Sequence, residues 1–428
     1  MPIEPRRRKF WLSAALLLSA APLLLFPTFS AIGTLLALTA VLLILLINRP
    51  LAVTPLHLPL ILFGLMIITG ILVTADPDLT LPKATGLILG LISWYILLTA
   101  VHSRRHLSFS LLGFLLLALG FTALGTLSTN WIIKVPILEQ IVQQLPAALV
   151  ALPESPESGV QANQLAGTIL MFWPLLLCLA IGWPLPGGWK TAVRLLALLL
   201  TALLFLTQSR SGWLGGLGGL VCLLAWRGWL HLPPPRRWLL WLGLVLLGMA
   251  VIATLVMIGP ERLQQLWVDP AQETVLGRLN SIGFRQEVWQ WTAEAIGDFP
   301  FTGTGLGTFR RVAPRLYPLN VPATYDISHA HNIFGQVALD VGLPGLVAYM
   351  ALLLLAGAMG WQVARRDEAL RPLAIGLVTG LIALHIYGLT DALALGSKTS
   401  LLFWLILGNL AAMKQVSGVG VSSVKFEE

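Results

Sequence analysis

Residues 191–226 read TAVRLLALLLTALLFLTQSRSGWLGGLGGLVCLLAW. Apolar residues run almost without interruption on both sides of one short polar break, Thr207-Gln208-Ser209-Arg210-Ser211-Gly212. As helices rising about 1.5 Å per residue, the two arms cross most of a hydrocarbon core about 30 Å thick. Neither arm alternates apolar with polar residues, which argues against strands of a transmembrane barrel. The stretch therefore predicts a helical hairpin that enters and leaves a membrane.

The same pattern recurs outward along the chain. Of its 428 residues, 57% are hydrophobic and 11% charged, against about 25% charged in a typical soluble domain. Mean hydropathy is +0.83. Such a chain is not a nuclear factor, a secreted disulfide scaffold or an ordinary cytosolic enzyme. About twelve spans are expected, near 11–26, 30–47, 56–74, 84–101, 108–127, 163–182, 191–207, 211–226, 238–258, 344–362, 372–389 and 397–413. The fold class is all-α and polytopic, with residues 1–428 forming a single integral membrane domain. Arg6-Arg7-Arg8-Lys9 before the first run resembles a signal peptide, but a second span follows almost at once, so an uncleaved first helix is expected. Cys178 and Cys222 lie inside apolar runs and read as small buried hydrophobes.

The net charge of +8 does not point to nucleic acid, because the cations lie mostly in short loops. With the N-terminus in the cytoplasm, 17 of the 27 lysines and arginines fall on the inner side. Six of the remaining ten sit in one long outer segment, where the positive-inside rule has little force. Both termini are therefore expected to be cytoplasmic. Two outer segments are too long to be turns. Residues 128–160 carry Ile137-Leu138, Ile141-Val142 and Leu145 at the spacing of an interfacial helix. Residues 259–343, between the ninth and tenth spans, form the large outer loop in which chemistry is expected.

Arg210 sits at the outer edge of the opening hairpin. It is either a snorkelling arginine in a plain turn or one that faces an anion. Gly212, Gly215, Gly216 and Gly219 behind it have the small-residue spacing of close helix packing. In residues 281–296, Ile282, Trp289 and Ile296 form an apolar stripe on which Arg285 falls, an unusual place for an unpaired cation. Pro300-Phe301-Thr302-Gly303-Thr304-Gly305-Leu306-Gly307 is not a dinucleotide fingerprint and reads as a flexible glycine turn.

Ser328-His329-Ala330-His331-Asn332 leads into a short outer helix, and Gly342-Leu343-Pro344-Gly345 breaks it before a membrane span. At a helix N-terminus His331 has a lowered pKa and can act as a base; a structural histidine is the other reading. His329 and His331, two apart, do not share a helix face, and no third ligand is evident, so no metal site is expected. Asp391 in Gly388-Leu389-Thr390-Asp391 stands at an outer helix edge near Lys398 and either pairs with an arginine or caps a helix.

In this order the pieces resemble the O-antigen ligase and polymerase superfamily, which includes relatives labelled inorganic-carbon transporters. The resemblance rests on Gln208-Ser209-Arg210-Ser211-Gly212-Trp213, Arg285 with Trp289, the turn 300–307, and His331-Asn332 leading to Gly342-Leu343-Pro344-Gly345. It implies a GT-C-like, metal-independent glycosyltransferase of polysaccharide or lipopolysaccharide biosynthesis at the bacterial inner membrane. It needs no cofactor. The implied donor is a glycan on undecaprenyl pyrophosphate, and the acceptor is a glycan, lipid or protein hydroxyl. Membrane lipids are the other partners. The implied catalytic residues are His331, Arg285 and Arg210; Arg210, Arg285, Asn332 and Asp391 are the implied substrate-binding residues. A small-solute or bicarbonate transporter is the alternative.

Overall fold

The computed structural model describes residues 54–129, 161–183, 186–267, 282–317 and 327–418, with the single positions 39, 131 and 144. The first expected span, the second apart from position 39, and nearly all of the interfacial segment 128–160 lie outside these residues. Everything regular among the described residues is helical. The helices are α1 (His57–Leu72), α2 (Pro77–Ala100), α3 (Arg104–Ser128), α4 (Ala162–Gly182), α5 (Gly187–Leu206) and α6 (Arg210–His231). They continue as α7 (Trp238–Trp267), α8 (Ile282–Asp298), α9 (Phe309–Leu316), α10 (Ile333–Arg366), α11 (Arg371–Tyr387) and α12 (Leu401–Val416). Among them, seven segments are long and apolar enough to cross a membrane. The chain is an all-α polytopic membrane protein.

At the centre of the bundle α4 packs on α11; α6, α10 and α12 flank α11, α3 and α5 flank α4, and α2 packs on α12. Small residues set the spacing. A side chain at Gly215 would meet the Ala383 carbonyl at 2.7 Å, and one at Gly219 the Ala383 methyl at 2.8 Å, so α6 lies directly on α11 as its glycine spacing predicts. The outward faces of α3 and α5 expose Leu112, Leu116, Leu195, Leu198 and Leu199, an apolar surface suited to lipid.

One end of the bundle carries the starts of α4, α6 and α10 and the end of α11. A second apolar cluster, separate from the main core, sits there: Val288, Trp291, Ala295, Phe309, Val312, Ala313, Tyr317, Ile327 and Ala330 pack on Leu339. The buried stripe of α8 is thus Val288, Trp291, Thr292 and Ala295, rotated from the expected one; Trp289 and Ile296 are half-buried. Arg285 stands three residues before Val288, at the head of this stripe.

The break in α10 is at Gly342, with φ 72° and ψ 173° between two helical segments. A side chain there would collide with the Phe301 carbonyl. The stretch 300–307 is the glycine-shaped turn expected, and it wedges against the break in α10. The Leu343 N–H donates to the Pro300 carbonyl at 2.7 Å, and the Thr304 N–H to the Leu339 carbonyl at 2.7 Å. Gly307 also has positive φ, and the stem of Lys83 fills the space a side chain at Gly307 would need.

Candidate functional site

Among the described residues, two that are not glycine have positive φ: Gln208 at 51° and His331 at 49°. Left-handed backbone costs an L-residue about 1–3 kcal/mol and persists only where the surroundings hold it, often at functional sites. Both positions adjoin the motifs picked out in the sequence.

Gln208 turns the chain from α5 into α6. Ser209 then caps α6, its Oγ accepting from the Gly212 N–H at 3.1 Å, and Arg210 becomes the first helical residue. Ser211 accepts a hydrogen bond from Thr390 Oγ1 at 2.8 Å. The start of α6 is therefore tied to the residue preceding Asp391.

His331 ends a turn and does not open a helix. The helix N-cap is Asn332, whose Oδ1 accepts from the Gly335 N–H at 2.9 Å while its Nδ2 donates to the Leu389 carbonyl at 3.1 Å. With both ends of its amide engaged, Asn332 joins α10 to the end of α11. The expectation that His329 points away from His331 assumed helix, and it fails here. The left-handed residue folds the turn back, and the two rings lie 4.2 Å apart between centroids. Trp289 Nε1 of α8 donates to the His331 carbonyl at 3.1 Å and holds the turn from the other side.

Asp391, 1% exposed, lies against both rings. Its Oδ1 is 3.6 Å from His329 Nε2 and 3.9 Å from His331 Nδ1. Its Oδ2 accepts from Asn163 Nδ2 at 2.8 Å, and Oδ1 accepts from the Ala392 N–H at 2.9 Å. Asp391 therefore lies against the histidines. The His331 N–H donates to His329 Nδ1 at 3.2 Å. A ring nitrogen that accepts is unprotonated, so neutral His329 carries its proton on Nε2, facing Asp391.

Burial pushes the His329 pKa below its ordinary value of 6.5; Asp391 opposes this, and the cations Lys83, Arg285 and Arg310 add to it. His331 is pushed well below 6.5 by burial first, then by His329 and Arg285. Both rings are neutral at pH 7. Arg285 thus stands within electrostatic reach of both histidines.

His329, His331 and Asp391 each offer a ligand atom, all within 4.8 Å of one another. The third donor that spacing alone did not reveal is Asp391, brought in by folding. A divalent cation finds here two neutral imidazoles and one carboxylate, a feasible ligand set. Opposing it, the nearby lysine and arginines disfavour further positive charge.

Residues 195–350 match the family model described as O-antigen ligase. The match supports the O-antigen ligase-like superfamily for this stretch. No curated protein matches the chain at a significant level. The O-antigen ligase stretch contains Arg210, Arg285 and His331, whereas Lys83, Asn163 and Asp391 lie outside it and join the site only through the fold. Sequence reading missed Asn163 and Lys83, whose one signal was a polar side chain at the edge of an apolar run. It also passed over Gln336 and Asp340, spaced one helical turn apart.

Proposed function

We propose that the chain transfers a glycan from undecaprenyl pyrophosphate to an acceptor hydroxyl at the outer face of the bacterial inner membrane. The family supports glycosyl transfer of the ligase or polymerase type; donor, acceptor and membrane face are the finer parts of the reading. The observation that carries it is the neutral histidine pair resting on buried Asp391, with Arg285 beside it.

His331 accepts the proton of the acceptor hydroxyl. The acceptor oxygen forms a bond to the anomeric carbon as the bond from that carbon to the phosphate oxygen breaks. Negative charge grows on the departing undecaprenyl pyrophosphate, and Arg210 and Arg285 stabilise it through bidentate hydrogen bonds. Asp391 balances the imidazolium formed at His331. Its present 3.9 Å separation is beyond hydrogen-bond reach, and such contacts tighten when substrate binds. In this reading the arginines do the work a metal otherwise does, and chelators leave transfer intact.

The cations support the membrane face. Arg104, Arg227, Arg365, Arg371 and Lys414 lie at helix ends opposite the histidines, and a positive end favours the cytoplasm. Both termini are cytoplasmic in this reading, with 259–343 outside. Reconstituted protein supplied with a defined undecaprenyl-pyrophosphate-linked glycan should release undecaprenyl pyrophosphate as the acceptor is modified. Lys replacements at Arg210 or Arg285 should fail almost as badly as Ala, because Lys lacks the planar fork. Cells lacking the chain should accumulate lipid-linked glycan with unchanged bicarbonate uptake. A direct bicarbonate flux through reconstituted protein, without transfer, would replace this reading with transport.

A further inference from the structure

The glycine wedge 303–307 and the histidine turn 329–331 are far apart along the chain, yet both are tied to one carboxylate. Asp340 Oδ1 accepts from the Gly307 N–H at 2.8 Å and from Gln336 Nε2 at 2.9 Å. Gln336 Oε1 in turn accepts from the Ala330 N–H at 2.8 Å. The Gln336 amide is thereby oriented at both ends, oxygen to the peptide and nitrogen to the carboxylate. Asp340 is 0% and Gln336 2% exposed. They lie one turn apart on the short helical segment that runs from Ile333 to the break at Gly342.

A carboxylate removed from water is costly unless its surroundings engage it. Here the engagement is directed at two turns, one of which carries both histidines. Ala330 is the peptide between them, so its N–H is the point at which the turn is gripped from the α10 side. Trp289 grips it at the His331 carbonyl. Between these two anchors stands the left-handed His331, a conformation that relaxes unless held. Lys83 of α2 is the cation whose charge faces Asp340.

We infer that Asp340 is a positioning residue: acting through Gln336 and the Ala330 amide, it holds the histidine turn so that His331 meets Asp391, and through Gly307 it locks that turn to the glycine wedge. The kinetic part of this inference rests on His331 as the base of the proposed transfer; the structural part does not.

The test uses the full chain in lipid nanodiscs. Rates of diethylpyrocarbonate modification at His329 and His331 are mapped by mass spectrometry, and transfer is followed with an undecaprenyl-pyrophosphate-linked glycan. Asp340→Asn keeps an acceptor oxygen for both donors; Asp340→Leu and Gln336→Leu do not. In the Leu variants kcat should fall about 10–100-fold with donor KM nearly unchanged, as for a misplaced catalytic group, and His331 should be modified several-fold faster. Asp340→Asn should restore both toward wild type. Should Asp340→Leu fail to reach the membrane, Gln336→Leu carries the test, since it cuts the same link and leaves the carboxylate in place. Wild-type kcat and modification rates in a folded Leu variant would overturn the inference, and so would an Asn variant as impaired as Leu. If no transfer is detected even for wild type, the proposed function fails. Faster His331 modification in Leu but not Asn variants then still supports the positioning role.

Discussion

Where α3 begins and α10 closes, Arg104 reaches Asp367 at 2.8 Å while its own side chain stays 57% exposed. At that end Arg237 lies over the Trp229 ring at 4.7 Å and Arg365 over Trp361 at 5.7 Å. These cations keep their charge in water and pack their stems on apolar surface. The opposite end buries its polar groups instead. Asp340, Asp391, Gln208 and Gln336 are each 2% exposed or less; Asp391, Gln336 and Oδ1 of Asp340 are hydrogen-bonded to named partners, while Asp340 Oδ2 has none among the described residues. Exposed charge can sit at many positions and tolerate change. Buried polar groups need partners in one geometry, which makes this end the place where a reaction can be organised and where substitution hurts.

Substitutions should separate the two ends, beginning with His331. In a reconstituted transfer assay His331→Ala should lose about 10²–10⁴-fold in kcat, the range for removing a general base. Donor binding should be spared, because the base acts on the acceptor. A folded variant that transfers at the wild-type rate would make His331 structural and weaken the contrast.

His329→Ala tests whether the pair acts together. The rings are 4.2 Å apart and His329 Nδ1 accepts the His331 N–H. Loss of His329 should loosen that turn and lower kcat about tenfold or more, in keeping with the cost of small misplacements. A loss under twofold would mean that Trp289 and Gln336 suffice to hold His331.

Acid should act on the histidine turn. His331 must be neutral to accept a proton, and its folded pKa lies well below 6.5. Transfer should therefore hold through pH 6.5 and fall only at more acidic pH. Stability has the same sign: below 6.5 the unfolded chain takes up protons at His329 and His331 that the folded chain refuses. The fold thus weakens as pH drops from 6.5 toward the depressed values, and a His329→Ala, His331→Ala double variant should lose much of that dependence in thermal melts. A rate that already halves above pH 7 would contradict the neutral pair.

The smallest effect belongs to the exposed end. Arg104→Ala should cost about 1–2 kcal/mol of stability, because Arg104 is exposed but Asp367 is buried and keeps only the Leu370 N–H as a partner for its Oδ1. Transfer should be unchanged. Loss of activity in a stable Arg104→Ala protein would show that the ends are coupled.

Membrane spans were legible because burial in lipid demands long apolar runs, a local property of residues 191–226 and their like. The glycine spacing in α6 and the break at Gly342-Leu343-Pro344-Gly345 were equally local. Arg285 was visible as a cation out of place on an apolar stripe, and that stripe was misread by part of a turn, since neighbours in space choose which face of α8 is buried. The histidine turn was the hardest to read. Spacing two apart says that His329 and His331 diverge if helical, and a single left-handed residue reverses this. Such a conformation has no local preference behind it; it is held by Trp289, Gln336 and Asn332, which come from α8 and α10. Asp391 and Asn163 are likewise 228 positions apart in the chain. Apolar runs and family motifs are properties of neighbouring residues and can be read in order, whereas a buried polar cluster is assembled from helix ends that only packing brings together.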